Sequence, residues 1–232
     1  MLTKVEREIL RIKNKTAKRL KDTVVEEISL PIRINDTTVF ELECSPIDLE
    51  ELITGFLFSE GFVKNLSEIS NIEFNQYEAR VTLNKLNKKN VPKPIKNNFV
   101  CLPDMLYKLM QDFQSKSSLF KETGGVHSAA LARDSKIIFF YEDVSRHSAI
   151  DKVIGKACKE EVSFSDKILL TSGRIAAKVV SKAAMVGLPM IVSKAAVTNS
   201  AIQLAERLNL AVIGFVRGQR MNVYTRPQNL KY

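Results

Sequence analysis

The chain has 232 residues and a formal net charge of +9, with 45% hydrophobic and 26% charged residues. That mix can bury the core of one large domain or two small ones, and no apolar run approaches the roughly 20 residues of a membrane-spanning helix. The three cysteines, Cys44, Cys101 and Cys158, are odd in number and show no CxxC spacing. They suggest neither a disulfide framework nor a zinc ribbon, and fit a reducing, cytoplasmic compartment.

Residues 1–22 read as a basic N-terminal extension, with eight Lys or Arg against two Glu in the first 21. Basic balance alone favours a polyanionic partner. The stretch has no aromatic residue to stack on bases, so it reads as a solvated basic helix. It lacks the apolar core of a secretory signal. Residues 23–98 form an N-terminal β-rich subdomain and loop. VVEEISLPIRIN and TTVFELEC alternate around the turn signal Asn35-Asp36, which predicts paired strands. Ser45-Pro46 predicts a helix start, and Leu49, Leu52, Ile53, Phe56 and Leu57 form its apolar stripe. Weaker strands follow over 62–86. Residues 84–98, rich in Lys, Asn and Pro, read as a mobile loop and the domain boundary.

Residues 99–232 form an α/β domain. A helix from Pro103 to about Gln114 is followed by alternating strands and helices, ending in LAVIGFV and NVYT. Such alternation predicts a mostly parallel sheet with helices on its faces and ligands at the carboxyl ends of its strands. Three turns there suit an anion. Ser172, Gly173 and Arg174 open a predicted helix, with Ser172 as its cap; Ser193-Lys194 leads to Thr198-Asn199; Phe215, Val216, Arg217, Gly218, Gln219 and Arg220 set two arginines around a glycine. Each turn alone is ordinary loop chemistry. Three on one sheet favour a phosphate-rich ligand.

The two histidines stand in unusual company. His127 follows the pair Gly124-Gly125, which suits either a tight turn or backbone amides facing a ligand, with His127 as donor or general acid. Arg146 and His147 follow Glu142 and Asp143, and Asp151 lies one helical turn beyond His147. The spacing fits two roles equally: Asp151 orienting the imidazole, or an ion-pair knot tying helix to sheet.

Together, TGGVHSAAL, EDVSRHSAIDKVIGKA, LLTSGRIAAKVVSKAAMVGLPMIVSKAAVT and LAERLNLAVIGFVRGQRMNVYT resemble the formate dehydrogenase accessory sulfurtransferase family (FdhD). EEISLPIRIN and ECSPIDLEELITGFLFSEGFV agree with its N-terminal half, so the resemblance spans about residues 24–226. It implies a three-layer α/β/α sandwich like the cytidine deaminases, without their zinc, and a homodimer. It also implies a sulfur carrier that takes persulfide sulfur from a cysteine desulfurase. The sulfur goes to a molybdenum or tungsten bis(molybdopterin guanine dinucleotide) cofactor before insertion into formate dehydrogenase. The family's cofactor-binding segment falls on residues 215–220; Gly124, Gly125, His127, Arg146, His147, Ser172, Gly173 and Arg174 join it as candidate contacts. The HxE and PCxxC ligand set of a zinc deaminase is absent, and nucleic acid and membrane are not expected partners.

Three departures from the family pattern stand out. Ser145 replaces a glycine, Ser148 replaces an asparagine, and the usual CxxC loop is missing. Cys101 is then the candidate sulfur carrier, with Lys93, Lys96 and a helix start favouring its thiolate. Cys44 and Cys158 read as buried and inert. A cofactor-binding chaperone without persulfide chemistry is the alternative.

Overall fold

The computed structural model describes residues 3–75, 78–85, 90–96 and 98–232. Among them the chain makes three sheets and six helices. The basic N-terminal stretch is not a helix. It is an antiparallel ribbon, β1 (Lys4–Lys13) and β2 (Thr16–Val25). Asn14 and Lys15 both take positive φ, 49° and 65°, which matches the twist of a two-residue hairpin turn. The pairs Ile9–Leu20 and Val5–Val24 on one face then reward the strand pairing. Charge density hid that alternation.

Strands β3 (Ile28–Ile34) and β4 (Thr38–Cys44) pair as expected. Helix α1 (Leu49–Ser59) begins later than Ser45-Pro46 suggested. Asp48 precedes it in a left-handed conformation, φ 51°, and Ser45 serves a buried contact instead of a cap. Strands β5 (Ile69–Phe74) and β6 (Ala79–Leu83) complete a sheet in the order β4-β3-β6-β5. Its inward residues Leu30, Ile32, Ile34, Val81 and Leu83 pack on Leu52, Ile53, Phe56 and Leu57 of α1.

The mobile-loop reading of 84–98 falls partly on residues 86–89 and 97, outside the described residues. The described part carries no regular element but is tied down. Asn90 bonds the Gly61 carbonyl at 2.9 Å and Ile95 bonds that of Leu208 at 2.8 Å.

The second half supplies α2 (Pro103–Lys116), α3 (Ser118–Thr123), β7 (His127–Arg133), β8 (Lys136–Asp143), α4 (Arg146–Lys159), β9 (Ile168–Thr171), α5 (Ala177–Met185), β10 (Met190–Ser193), α6 (Asn199–Arg207), β11 (Ala211–Arg217) and β12 (Arg220–Thr225). The short α3 has no clear signal in the sequence. The sheet order is β12-β11-β10-β9-β7-β8. Only β9–β10 and β10–β11 are parallel; the other three pairings are antiparallel. The expected mostly parallel sheet is therefore mixed, because β8 and β12 return by short hairpins instead of helical crossovers.

Side chains of a strand alternate between faces, and the buried residues follow that rule. Leu131, Leu169, Ile191 and Val212 face α4, α5 and α6. Ala130, Leu170, Val192 and Ile213 face α2. The result is three layers, helix on sheet on helix.

The two halves meet where α1 crosses α4. A Cβ on Gly55 would lie 1.8 Å from the Asp151 carbonyl oxygen, and one on Gly155 would lie 1.9 Å from that of Glu51. Only glycine permits that approach. Gly155→Ala forces the helices apart and should cost about 1–3 kcal/mol, as overpacking does. Thermal unfolding should show it as a midpoint lower by several degrees; an unchanged midpoint would mean the crossing yields freely.

Candidate functional site

Strand directions decide where the polar turns meet. Since β7 runs against β8 and β9, the start of β7 lies at the same end of the sheet as the ends of β8, β9, β10 and β11. His127, Asp143, Thr171, Ser193 and Arg217 all stand at that end. The turns following them form its rim.

One cavity of about 450 Å³ opens there, lined by Gly124, Gly125, His127, Ser172, Lys194 and Phe120, among others. Ser172 Oγ accepts from the Ser128 amide at 2.9 Å and lies 3.4 Å from His127 Nδ1. Burial, then Arg146 and Lys194, lower the His127 pKa, so its imidazole is neutral at pH 7 and offers one donor and one acceptor. Lys194 Nζ sits over the Phe120 ring, 5.3 Å from its centroid. The Phe120 and Leu119 amides each donate to the Glu142 carboxylate at 3.0 Å, which fixes α3 against β8. Gly124 closes α3 with φ 67°, a conformation that suits glycine. In the sequence Lys194 stands only in a polar turn, and nothing local marks Phe120.

Segment 215–220 lies beside this cavity. Val216, Gly218 and Gln219 line a second hollow of about 640 Å³ against α2, and Gln114 borders both. Phe215 holds a positive φ of 53°, uncommon for a bulky residue. Its amide donates to the Ala195 carbonyl at 3.1 Å. The β11–β12 pairing slips between Gly214 and Arg217, so Arg217 and Arg220 face each other at the hairpin tip, both exposed. Arg217 Nε reaches the Lys194 carbonyl at 3.4 Å.

Several expectations need correction. Residues 172–174 do not open a helix; α5 starts at Ala177, so Ser172 caps nothing and braces β7. The Arg146 stem packs against Gly173, 3.0 Å from where a Cβ would stand. Arg174 is exposed in the loop. His147 is not oriented by Asp151. Asp151 instead takes Lys182 at 2.8 and 2.9 Å and Ser59 at 2.6 Å, while Asp143 takes Lys152 at 2.6 Å and the Ser45 amide at 3.2 Å. The ion-pair knot is the reading that fits. His147 is not among the lining residues of either hollow. Its Nδ1 and Arg146 Nε are buried with no hydrogen-bond partner among the described residues. Ser145 caps α4 through Ser148, and Ser148 Oγ donates to the Glu43 carbonyl at 2.7 Å, so the two family departures are absorbed in the helix start.

Cys101 differs most from expectation. It lies buried, bridged to Leu230, with Sγ 3.9 Å from Met190 Sδ. Burial raises its thiol to about 11. Met190 begins β10 whereas Lys194 follows its end, so Cys101 packs toward the opposite end of the sheet. Three residues of strand put about 10 Å between those ends. Neither Lys93 nor Lys96 figures in the raised value, whose one cause is burial. Cys44 and Cys158 are buried too, each raised to about 12, first by burial.

A model of the FdhD/NarQ family matches residues 25–100 and 81–231. The chain belongs to the FdhD/NarQ family. The sulfur carrier protein FdhD of Listeria monocytogenes is 34% identical over 94% of this chain and 95% of the relative. That of Bacillus subtilis is 32% identical over 97% of each. A crystal structure described as a formate dehydrogenase accessory protein from Desulfotalea psychrophila superposes with a TM-score of 0.87. It is 26% identical and covers 99% of this chain and 100% of its own. This FdhD/NarQ chain therefore shares the family's mixed α/β architecture along almost its whole length. Among the described residues no helix is long and apolar enough to cross a membrane.

Burial, then Arg146, Lys182 and Lys178, pushes the His147 pKa down to about 4. Between pH 6.5 and about 4 the unfolded chain takes up a proton that folded His147 refuses, so acid weakens the fold across that window. The loss should shrink in His147→Gln. NMR titration should show the His147 ring neutral at pH 5; a midpoint near 6.5 would refute its burial.

Proposed function

We propose that this chain is a sulfur carrier protein required for formate dehydrogenase. It binds the molybdenum or tungsten bis(molybdopterin guanine dinucleotide) cofactor as cargo at the carboxyl end of its six-stranded sheet. The observation that carries this reading is the gathering of neutral His127, Gly124-Gly125 and Lys194 on one hollow, with Val216, Gly218 and Gln219, next to the exposed Arg217–Arg220 pair in sequence, on a second hollow that shares Gln114 with it. Cations and glycine turns complement pyrophosphates, and the paired arginines can fork onto phosphate or a guanine edge. The names of the relatives, sulfur carrier protein and formate dehydrogenase accessory protein, support the carrier part of this reading. In this scheme a cysteine desulfurase supplies sulfur and formate dehydrogenase receives the loaded cofactor. The work takes place in the cytoplasm, with the chain as a homodimer of deaminase-like architecture.

Arg217→Ala with Arg220→Ala should weaken guanosine diphosphate, a fragment of the cofactor, about 10- to 100-fold by calorimetry. Hydrogen bonds to charged groups are worth about 1.5–3 kcal/mol. Equal affinity would remove the tip from the site.

One observation favours a second reading, an escort that carries the cofactor without persulfide chemistry. All three thiols are buried and held protonated. Intact-mass spectrometry after incubation with cysteine and a cysteine desulfurase separates the two. The carrier reading expects a one-sulfur adduct on the wild type that Cys101→Ala abolishes. The escort reading expects none on either, under conditions where a CxxC-bearing relative is loaded.

A further inference from the structure

The N-terminal ribbon has no counterpart in the cofactor reading, and its charge is unevenly placed. Residues 3–25 carry eight Lys or Arg against three acids, more than half of the net +9 on a tenth of the chain. The root is balanced and paired: Lys21 with Glu6 at 3.1 Å, Arg11 with Asp22 at 3.3 Å, and Lys4 with Glu122. The outer part, residues 9–20, has five Lys or Arg and no acid. Of these only Arg11 has an ion pair among the described residues.

Leu10 and Ile12 share one face of the outer ribbon with Ala17 and Arg19, and are 58% and 69% exposed. The turn holds Lys15 at φ 65°, where glycine would sit without strain. The ribbon is a sheet of two strands, so among the described residues both outer backbone rows lack a strand neighbour. A lone two-stranded ribbon is at best marginally stable in water. This one is anchored where β2 meets α3. Val25 packs on Gly125, its Cγ1 2.7 Å from where a Cβ would stand. The root thus rests on the glycine turn of the candidate cavity.

We infer that the outer ribbon is a docking arm for an acidic polypeptide segment, which adds as a further strand and brings its owner to the cavity mouth. Strand addition supplies main-chain hydrogen bonds, and the cationic tip selects an acidic partner. Leu10 and Ile12 give that partner an apolar contact which a nucleic-acid backbone does not use. The ribbon also lacks the aromatic residues that stack on bases or anchor in a membrane interface.

The test uses the full chain and a fluorescent peptide of about 12 residues alternating Glu and Val, measured by anisotropy at low salt. A variant with Lys13, Lys15, Lys18 and Arg19 each changed to Glu should bind at least tenfold more weakly. Leu10→Ser with Ile12→Ser, which keeps every charge, should lose several-fold, and both variants should keep the wild-type unfolding midpoint. Three results would overturn the inference: no peptide binding by the wild type, equal binding by the variants, or tighter binding of duplex DNA or anionic vesicles than of the peptide.

Discussion

The close crossing of α1 and α4 is the constraint on which the rest of the molecule depends. Gly55 and Gly155 bring two helix backbones into contact, and the N-terminal sheet and the six-stranded sheet are joined through it. Buried charge surrounds the crossing. Asp151, Lys182 and Ser59 link α4, α5 and the end of α1, while Asp143 and Lys152 join β8 to α4 and take in Ser45. Burial raises both carboxyl pKa values, and their lysines oppose that rise. Such pairs add little net stability compared with apolar packing, but a partner left alone is costly. They therefore fix how the two halves are registered more than how tightly they hold.

That registration has a consequence at the end of the sheet. Arg146 and His147 begin the same helix whose middle is clamped at Gly155. The Arg146 stem covers Gly173, and its charge helps keep His127 neutral. The cavity chemistry is thus set from beneath by the helix crossing and from above by α3, pinned through Glu142. A histidine in such a place works as a hydrogen-bonding group of fixed form, not as a charge.

Much of this was legible in the sequence. The strand–helix alternation of the second half and the polar turns at strand ends follow from local periodicity and spacing, and the family blocks show as a resemblance of motifs in serial order. What stayed hidden depends on partners distant in sequence. Asp151 lies one turn from His147, yet the better partner, Lys182, comes from another helix. Gly55 and Gly155 look like ordinary helix glycines until the helices cross. Cys101 borders a lysine-rich loop in sequence, but its neighbours in space are Met190 and Leu230. The ribbon is hard to see in the sequence because Lys and Arg dominate an alternation carried by only a few apolar residues.

The clasp around Cys101 makes its thiol conditional. Its amide donates to the Asn229 carbonyl at 3.0 Å, and its own carbonyl accepts from Lys231 at 3.0 Å. Two backbone bonds, the Asn229 side-chain amide donating to the Phe99 carbonyl, and the buried Leu230 side chain hold this cover, fewer ties than hold the sheet beneath. Segments so lightly attached open locally at a small fraction of the global unfolding free energy. The sulfur atom is therefore gated by the free energy of lifting a few residues, and whatever grips that segment governs when the thiol meets another molecule.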